Sequence, residues 1–415
     1  MKLEETKSKV NIKKEGSVLL LLSTIFTIFL TIFSIFWWRH NLPLVSPLDL
    51  IETLTHIPGK EKKDQKIVVG FLPYWNLKYA DQIPIKHLTH LAYFGIDLED
   101  DGTIKKYENK GELEPGWNKL SSKEYEGLKR QIKILGKKNI LVVRAMSNDL
   151  IKAVINNPTI RQTTIHNILE VYKSKQFDGL NIDFEPTGFL DKSTQNNFTL
   201  FIKEITSQCK NINTCEMSLD IYAKSAVERR LYNLIELEPY IDYFIIMAYD
   251  FYVRSSAAAG PIAPLAGTCK ANDPKSNCLE YDIQTSIADI GKLVQEDKLI
   301  LGVPFYGYQW QTVNDKFLSN TYKGTGAIAT YRRIQDLLAN PEEASITPSW
   351  STTSLSPYLI VEEDDEISQI HYEDENSLKL KLEFIENTGL SGLAIWALGY
   401  DTPYMGLWQT ISQNL

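Results

Sequence analysis

Histidine and cysteine are scarce in this chain, six and four among 415 residues, and a glycine-rich phosphate loop is missing. The histidines (His40, His56, His87, His90, His166, His371) do not cluster with cysteines or carboxylates at metal-ligand spacing. His87 and His90 are three residues apart and could share a helix face, and a surface or core pair is the expectation there. Neither a metal nor a cofactor is expected. Basic stripes interleaved with aromatics are absent and the formal net charge is -8, which argues against nucleic acid as a partner. No internal repeat or low-complexity tract stands out. The residues are 43% hydrophobic and 23% charged, the balance of a globular protein long enough for one large α/β domain.

Charge itself is missing from Ser17 to Trp38, which reads SVLLLLSTIFTIFLTIFSIFWW. A run of about 20 apolar residues can cross a bilayer, and Trp37 and Trp38 fit the interfacial belt. Lys2, Lys7, Lys9, Lys13 and Lys14 precede it, whereas Arg39 alone follows closely. The positive-inside rule then makes 1–16 a cytoplasmic basic tail and 17–38 a single-pass anchor, with the rest of the chain outside the cell membrane. No small-x-small site ends the run, so the anchor is expected to stay uncleaved. Residues 39–66, with Pro43, Pro47, Pro58, Gly59 and the charged run Lys60 to Asp64, read as an extracytoplasmic linker.

The four cysteines fall in two pairs around polar, turn-rich loops: Cys209 with Cys215, and Cys269 with Cys278. An oxidising compartment favours two local disulfides. Zinc is the alternative, but neither pair has the short gap of a zinc knuckle.

What the chain does have is an unusual strand. Along Phe177 to Pro186, Asn181, Asp183 and Glu185 alternate with Leu180, Ile182 and Phe184. Successive strand residues point to opposite faces, so one face carries an amide and two carboxylates. Long amphipathic stretches flank it, as for a central parallel strand buried on both faces. Buried carboxylates are costly unless paired, and neighbouring ones raise each other's pKa. That is how a carboxylic acid stays protonated near neutral pH. A solvated edge strand with chance acidic alternation is the weaker reading.

Similar apolar runs recur with helical stretches between them: Ile67–Leu72, Leu88–Ile96, Ile140–Ala145, Gly179–Phe184, Met217–Ile221, Tyr243–Ala248, Leu299–Pro304 and Gly392–Ala397. Strand–helix alternation implies parallel βαβ units, and eight in series predict a closed (β/α)8 TIM barrel over 67–415. A doubly wound open sheet is the alternative. The long gap from Phe305 to Leu390 predicts a small insertion between strands seven and eight, a hairpin or an α+β excursion. Within it, the acidic run Glu362 to Glu366 reads as a solvated turn. Aromatics gather at the ends of strands six, seven and eight: Tyr249 to Tyr252, Tyr306 to Trp310, and Trp396. Such groups form platforms for the apolar faces of sugar rings.

On these residues the chain resembles glycoside hydrolase family 18, the chitinase-like barrels. The family's D-G-x-D-x-D-x-E reads DGLNIDFE here, Asp178 to Glu185, and M-x-Y-D reads Met247 to Asp250. The strand-eight tryptophan corresponds to Trp396; the opening Val69 to Trp75 and the second strand Leu88 to Phe94 also match. The resemblance implies Glu185 as general acid and base. Asp183 would orient the substrate's 2-acetamido group, whose own oxygen acts as nucleophile, and Tyr249 would hydrogen-bond that oxygen. Asp250 and Trp396 would line the subsite beneath the reacting sugar, and Asn181, Asp178, Met247, Tyr74, Tyr306 and Trp310 complete the expected substrate-binding set. Retention of anomeric configuration follows.

The family usually has aspartate at Asn181. An amide can hydrogen-bond Asp183 but cannot take its charge. The surviving Asp183–Glu185 pair predicts activity, with a pH profile unlike that of the three-acid form. Ala145 to Asn148 also lack the Gly-Gly often found at the third strand end. The expected partner is a β-1,4-linked N-acetylglucosamine glycan, chitin or peptidoglycan, cleaved by a monomer. A barrel that binds glycans without cleaving them is the alternative.

Overall fold

The computed structural model describes residues 66–109, 111–212, 214–270, 278–340 and 345–415. The expected tail, anchor and nearly all of the linker lie outside the described residues. Among the described residues, no helix is long and apolar enough to cross a membrane.

Seven barrel strands come first: β1 (Ile67–Pro73), β2 (His90–Asp97), β3 (Lys138–Ala145), β4 (Gly179–Phe184), β5 (Glu216–Tyr222), β6 (Tyr243–Met247) and β7 (Leu299–Pro304). After an insertion, β13 (Gly392–Trp396) completes a closed barrel by pairing with both β7 and β1, every pairing parallel. Gly392 allows that closure, since a side chain there would run into the carbonyl oxygen of Ile67. The open doubly wound sheet is thereby excluded.

Strand alternation divides the core. Val69, Phe71, Ala92, Phe94, Ile140, Val142, Ile245, Ile300 and Ala394 pack together inside the barrel. Leu72, Leu91, Leu141, Val143, Leu180, Ile182, Leu301 and Leu393 belong to the outer layer under the helices. Helix α1 (Lys123–Ile134) starts at Ser122, whose hydroxyl accepts from the Tyr125 amide at 3.2 Å, and buries Tyr125, Leu128 and Ile132 along one stripe. Helix α2 (Lys192–Lys210) is capped by Asp191 and buries Phe198, Phe201, Ile202 and Ile205. Cys209 and Cys215 are bonded and tie its end to the start of β5; Cys269 and Cys278 are bonded as well.

The insertion is larger than a hairpin. It comprises β8 (Tyr306–Thr312), β9 (Ala327–Thr330), α3 (Tyr331–Ala339), β10 (Ser345–Ser351), β11 (Ser356–Glu363) and β12 (Glu366–His371). These strands form one antiparallel sheet in the order β9-β8-β12-β11-β10. The acidic turn falls as expected between β11 and β12, where Asp364 and Asp365 adopt left-handed backbone with φ of 50° and 64°.

Candidate active site

The C-terminal mouth of the barrel holds a cavity of about 250 Å³. Its wall includes Asp183 and Glu185 from β4 and its exit, Asp220 and Tyr222 from β5, Tyr249 and Asp250 after β6, Tyr306 at the head of β8, and Trp396 at the end of β13. Met247, Phe71 and Phe94 add the apolar remainder. A wider recess of about 590 Å³ shares Tyr222, Met247, Tyr249 and Asp250 with it and continues past Lys224, Arg230, Tyr252, Glu280 and Tyr281. The two together make a groove with the carboxyls at its deep end.

Glu185 is partly buried; its Oε2 accepts from the Tyr222 hydroxyl at 3.2 Å, and the same hydroxyl also donates to the Pro186 carbonyl at 3.3 Å. Burial raises the Glu185 pKa, while the bond from Tyr222 pulls it back toward the charged form. Asp183 is 2% exposed, and its pKa lies well above the ordinary aspartate range because of burial, then the nearby Glu185 and Asp220. Arg144, on β3 next to Asp183 in register, opposes that rise. Its guanidinium donates to Asp97 at 2.7 Å and lies over the Phe94 ring at 4.4 Å.

Trp396 is the cavity's largest aromatic surface. Phe94 meets it edge-on at 4.6 Å and Phe71 lies tilted against it at 6.1 Å, so its plane is fixed by packing. Asp250 has a left-handed backbone with φ of 58°, and its carboxylate accepts from the Tyr306 hydroxyl. Aspartate tolerates that conformation better than most residues.

The fold thus gathers Glu185, Asp183, Tyr249, Met247, Asp250, Trp396 and Tyr306 at one cavity. Four expected site residues sit elsewhere. Asp178 precedes β4, at the opposite end of the barrel, and accepts from the Asn139 amide at 2.8 Å. One motif therefore spans the strand's full length, and its first carboxylate fastens the strand start. Trp310 is wholly buried in the inserted sheet, with its indole donating to the Val253 carbonyl at 3.2 Å. Tyr74 is not in the cavity wall and packs edge-on against Trp75 at 5.0 Å. Asn181 lies deeper than the cavity and gives its amide to Ser218 at 3.0 Å and Asp220 at 2.8 Å, where a bond to Asp183 was expected.

Asp220, Tyr222 and Arg144 join the site without being among the residues expected from the sequence. The signal was present: Ser218, Asp220 and Tyr222 alternate with Met217, Leu219 and Ile221, just as on β4. Arg144 is a lone charge at the end of an apolar run. Among the described residues, no group of histidine, cysteine and carboxylates is placed to hold a metal ion. His90 instead faces Glu216 at 2.9 Å, and His87 stacks on Trp408 at 6.0 Å.

A probable chitinase 2 of Drosophila melanogaster is 26% identical over 361 residues, 81% of this chain and 72% of that protein. A putative sporulation-specific glycosylase of Bacillus subtilis is 23% identical, over 61% of this chain and 54% of its own length. Di-N-acetylchitobiase of Mus musculus is 24% identical, over 60% of this chain and 69% of that protein. The fold matches the Group IV chitinase of Ostrinia furnacalis, solved with allosamidin, with a TM-score of 0.71 at 21% identity, covering 84% of this chain and 98% of that one. It equally matches a class V chitinase from Nicotiana tobaccum solved with NAG4, with a TM-score of 0.71 at 21% identity, covering 84% and 99%. The model of the glycosyl hydrolases family 18 covers residues 67–401, and the chain belongs to that family of glycosidases.

Proposed function

We propose that this protein is a membrane-anchored, retaining glycosidase of the chitinase type that cleaves β-1,4-linked N-acetylglucosamine glycans. The observation that carries the reading is one cavity holding Glu185 and Asp183 beside Tyr249, Asp250 and the face of Trp396. Glu185 protonates the glycosidic oxygen; its raised pKa favours the protonated form that this step needs. The substrate's acetamido oxygen closes on the anomeric carbon, and Asp183 orients the acetamido nitrogen and stabilises the positive charge that develops. Glu185, now ionised, draws a proton from water, which opens the intermediate from the face the leaving group left. Two displacements at one carbon retain its configuration. Structural relatives solved with NAG4 and with a pentameric N-acetylglucosamine ligand support an N-acetylglucosamine glycan as the ligand.

The test uses the full chain in detergent with fluorogenic N-acetylglucosamine oligomers, and with chitin and peptidoglycan digested side by side. Glu185→Gln is expected to lower kcat by roughly 100- to 10,000-fold with little change in KM. A folded wild type that binds oligomers without turning them over would make the barrel a glycan-binding protein.

A further inference from the structure

The buried end of the site holds a third carboxyl, and it stands on a different strand from the one the family pattern uses. Alternation turns Asn181 and Asp183 of β4 inward together with Ser218 and Asp220 of β5. The register pairs Asn181 with Ser218 and Ile182 with Leu219, so Asp220 comes level with Asp183. Asn181 is 0% exposed, Asp183 2% and Asp220 4%. Asn181 spends its whole donor capacity on β5, on Ser218 and on Oδ1 of Asp220. Asp183 Oδ1 and Asn181 Oδ1 are both buried without a hydrogen-bond partner.

Two aspartates side by side in low dielectric do not both ionise; one holds a proton. An amide at 181 cannot hold it. The proposed reaction nevertheless asks Asp183 to become anionic as the sugar turns positive, so its proton needs an acceptor. Resting on that functional reading, we propose that Asp220 replaces the carboxyl missing at Asn181 and holds the proton that lets Asp183 ionise. An O–H bond breaks on Asp183 and one forms on Asp220; no other bond changes and no charge leaves the site. Asp220 acts through Asp183, so it is a positioning residue.

Its surroundings fit that task. Asp183 and Glu185 face it from β4, with Arg144 behind them on β3. Tyr249 approaches after β6, and Tyr222 and Tyr232 follow on its own side of the barrel. Among these, only Arg144 is a cation, and it is already engaged by Asp97. Burial, offset in part by the bond from Asn181 and reinforced by Glu185, holds the Asp220 pKa well above the ordinary range.

The experiment measures kcat and KM against pH for the full chain in detergent, on fluorogenic N-acetylglucosamine oligomers. Wild type is compared with Asp220→Asn, Asp220→Glu and the transposed pair Asn181→Asp/Asp220→Asn, with a thermal melt for each. Asp220→Asn is expected to lower kcat at least tenfold, to move the pH profile, and to leave KM within twofold. The transposed pair, which returns the acid to β4, is expected to recover most of that loss, and Asp220→Glu part of it. An active wild type with an unchanged kcat and pH profile in folded Asp220→Asn would overturn the proposal alone. So would a folded transposed pair no better than Asp220→Asn; this comparison still decides should the single variant unfold. A wild type with no turnover at all would remove the functional reading, and the proposal with it.

Discussion

At the scale of single residues, the site is a set of carboxyls whose charges are managed by short, specific contacts. Tyr222 stabilises ionised Glu185 through one hydrogen bond, the largest influence opposing burial. Tyr222→Phe is therefore expected to raise the Glu185 pKa further and to carry the alkaline limb of kcat to higher pH, which a pH–rate profile reads directly. The same carboxyls weigh on stability. Asp183 and Asp220 both have folded-state pKa values above those of the unfolded chain, so the native state binds more protons across that interval. Stability from these groups is complete below the ordinary aspartate pKa and is lost as pH rises through the folded values. Asp183→Asn should accordingly melt higher than wild type at pH 8 and lose that advantage at pH 3.5, while turnover falls. A melting difference independent of pH would contradict this. These contacts were only half legible in the sequence. Period-two alternation exposed Asn181, Asp183 and Glu185, but which strand lies beside β4 in the closed barrel determines that Asn181 faces Asp220.

Elements differ in how far a local pattern specifies them. The barrel strands are buried on both faces; most read as apolar runs, and β4 and β5 as apolar residues alternating with buried polar ones, so eight of them stood out in the sequence. The individual strands of the insertion did not, because most of them mix buried with exposed positions and so lack an apolar run. β10 reads SITPSWS, with Ser345, Thr347, Pro348 and Trp350 in water and the proline in the middle, as suits the edge position it occupies. Just after that region comes a buried ion pair: Lys381, on helix α4 (Glu375–Thr388), reaches both oxygens of Glu373 at 2.8 Å, with the two side chains 0% and 1% exposed. Two charges without water are held by geometry alone, and removing one strands the other. Lys381→Met is expected to cost about 3–5 kcal/mol in chemical denaturation. The double variant Lys381→Met/Glu373→Leu should recover most of that loss, since no buried charge then remains. If the double variant is as unstable as the single one, packing and not charge is the contribution of this pair.

For the whole molecule, the described barrel contains every group the proposed chemistry uses, from Phe71 on β1 to Trp396 on β13. The uncharged run from Ser17 to Trp38 contributes none of them. Under the proposed anchoring its consequence is positional: a segment of that length and polarity is expected to enter a bilayer, and the five preceding lysines to set its direction. Full-length protein expressed in cells should therefore stay with membranes through alkaline carbonate washing, whereas a chain lacking residues 1–65 should be released. Protease added outside should reach the barrel and spare an epitope placed before Ser17. On soluble oligomers the two forms should share one kcat/KM, because neither differs at the cavity. They should diverge on a polymer fixed to the cell that makes them, where tethering raises the local concentration of enzyme at the envelope. Release of the full-length protein by carbonate would place the run elsewhere than in a bilayer, and would leave the proposed hydrolysis to be judged on Glu185 alone.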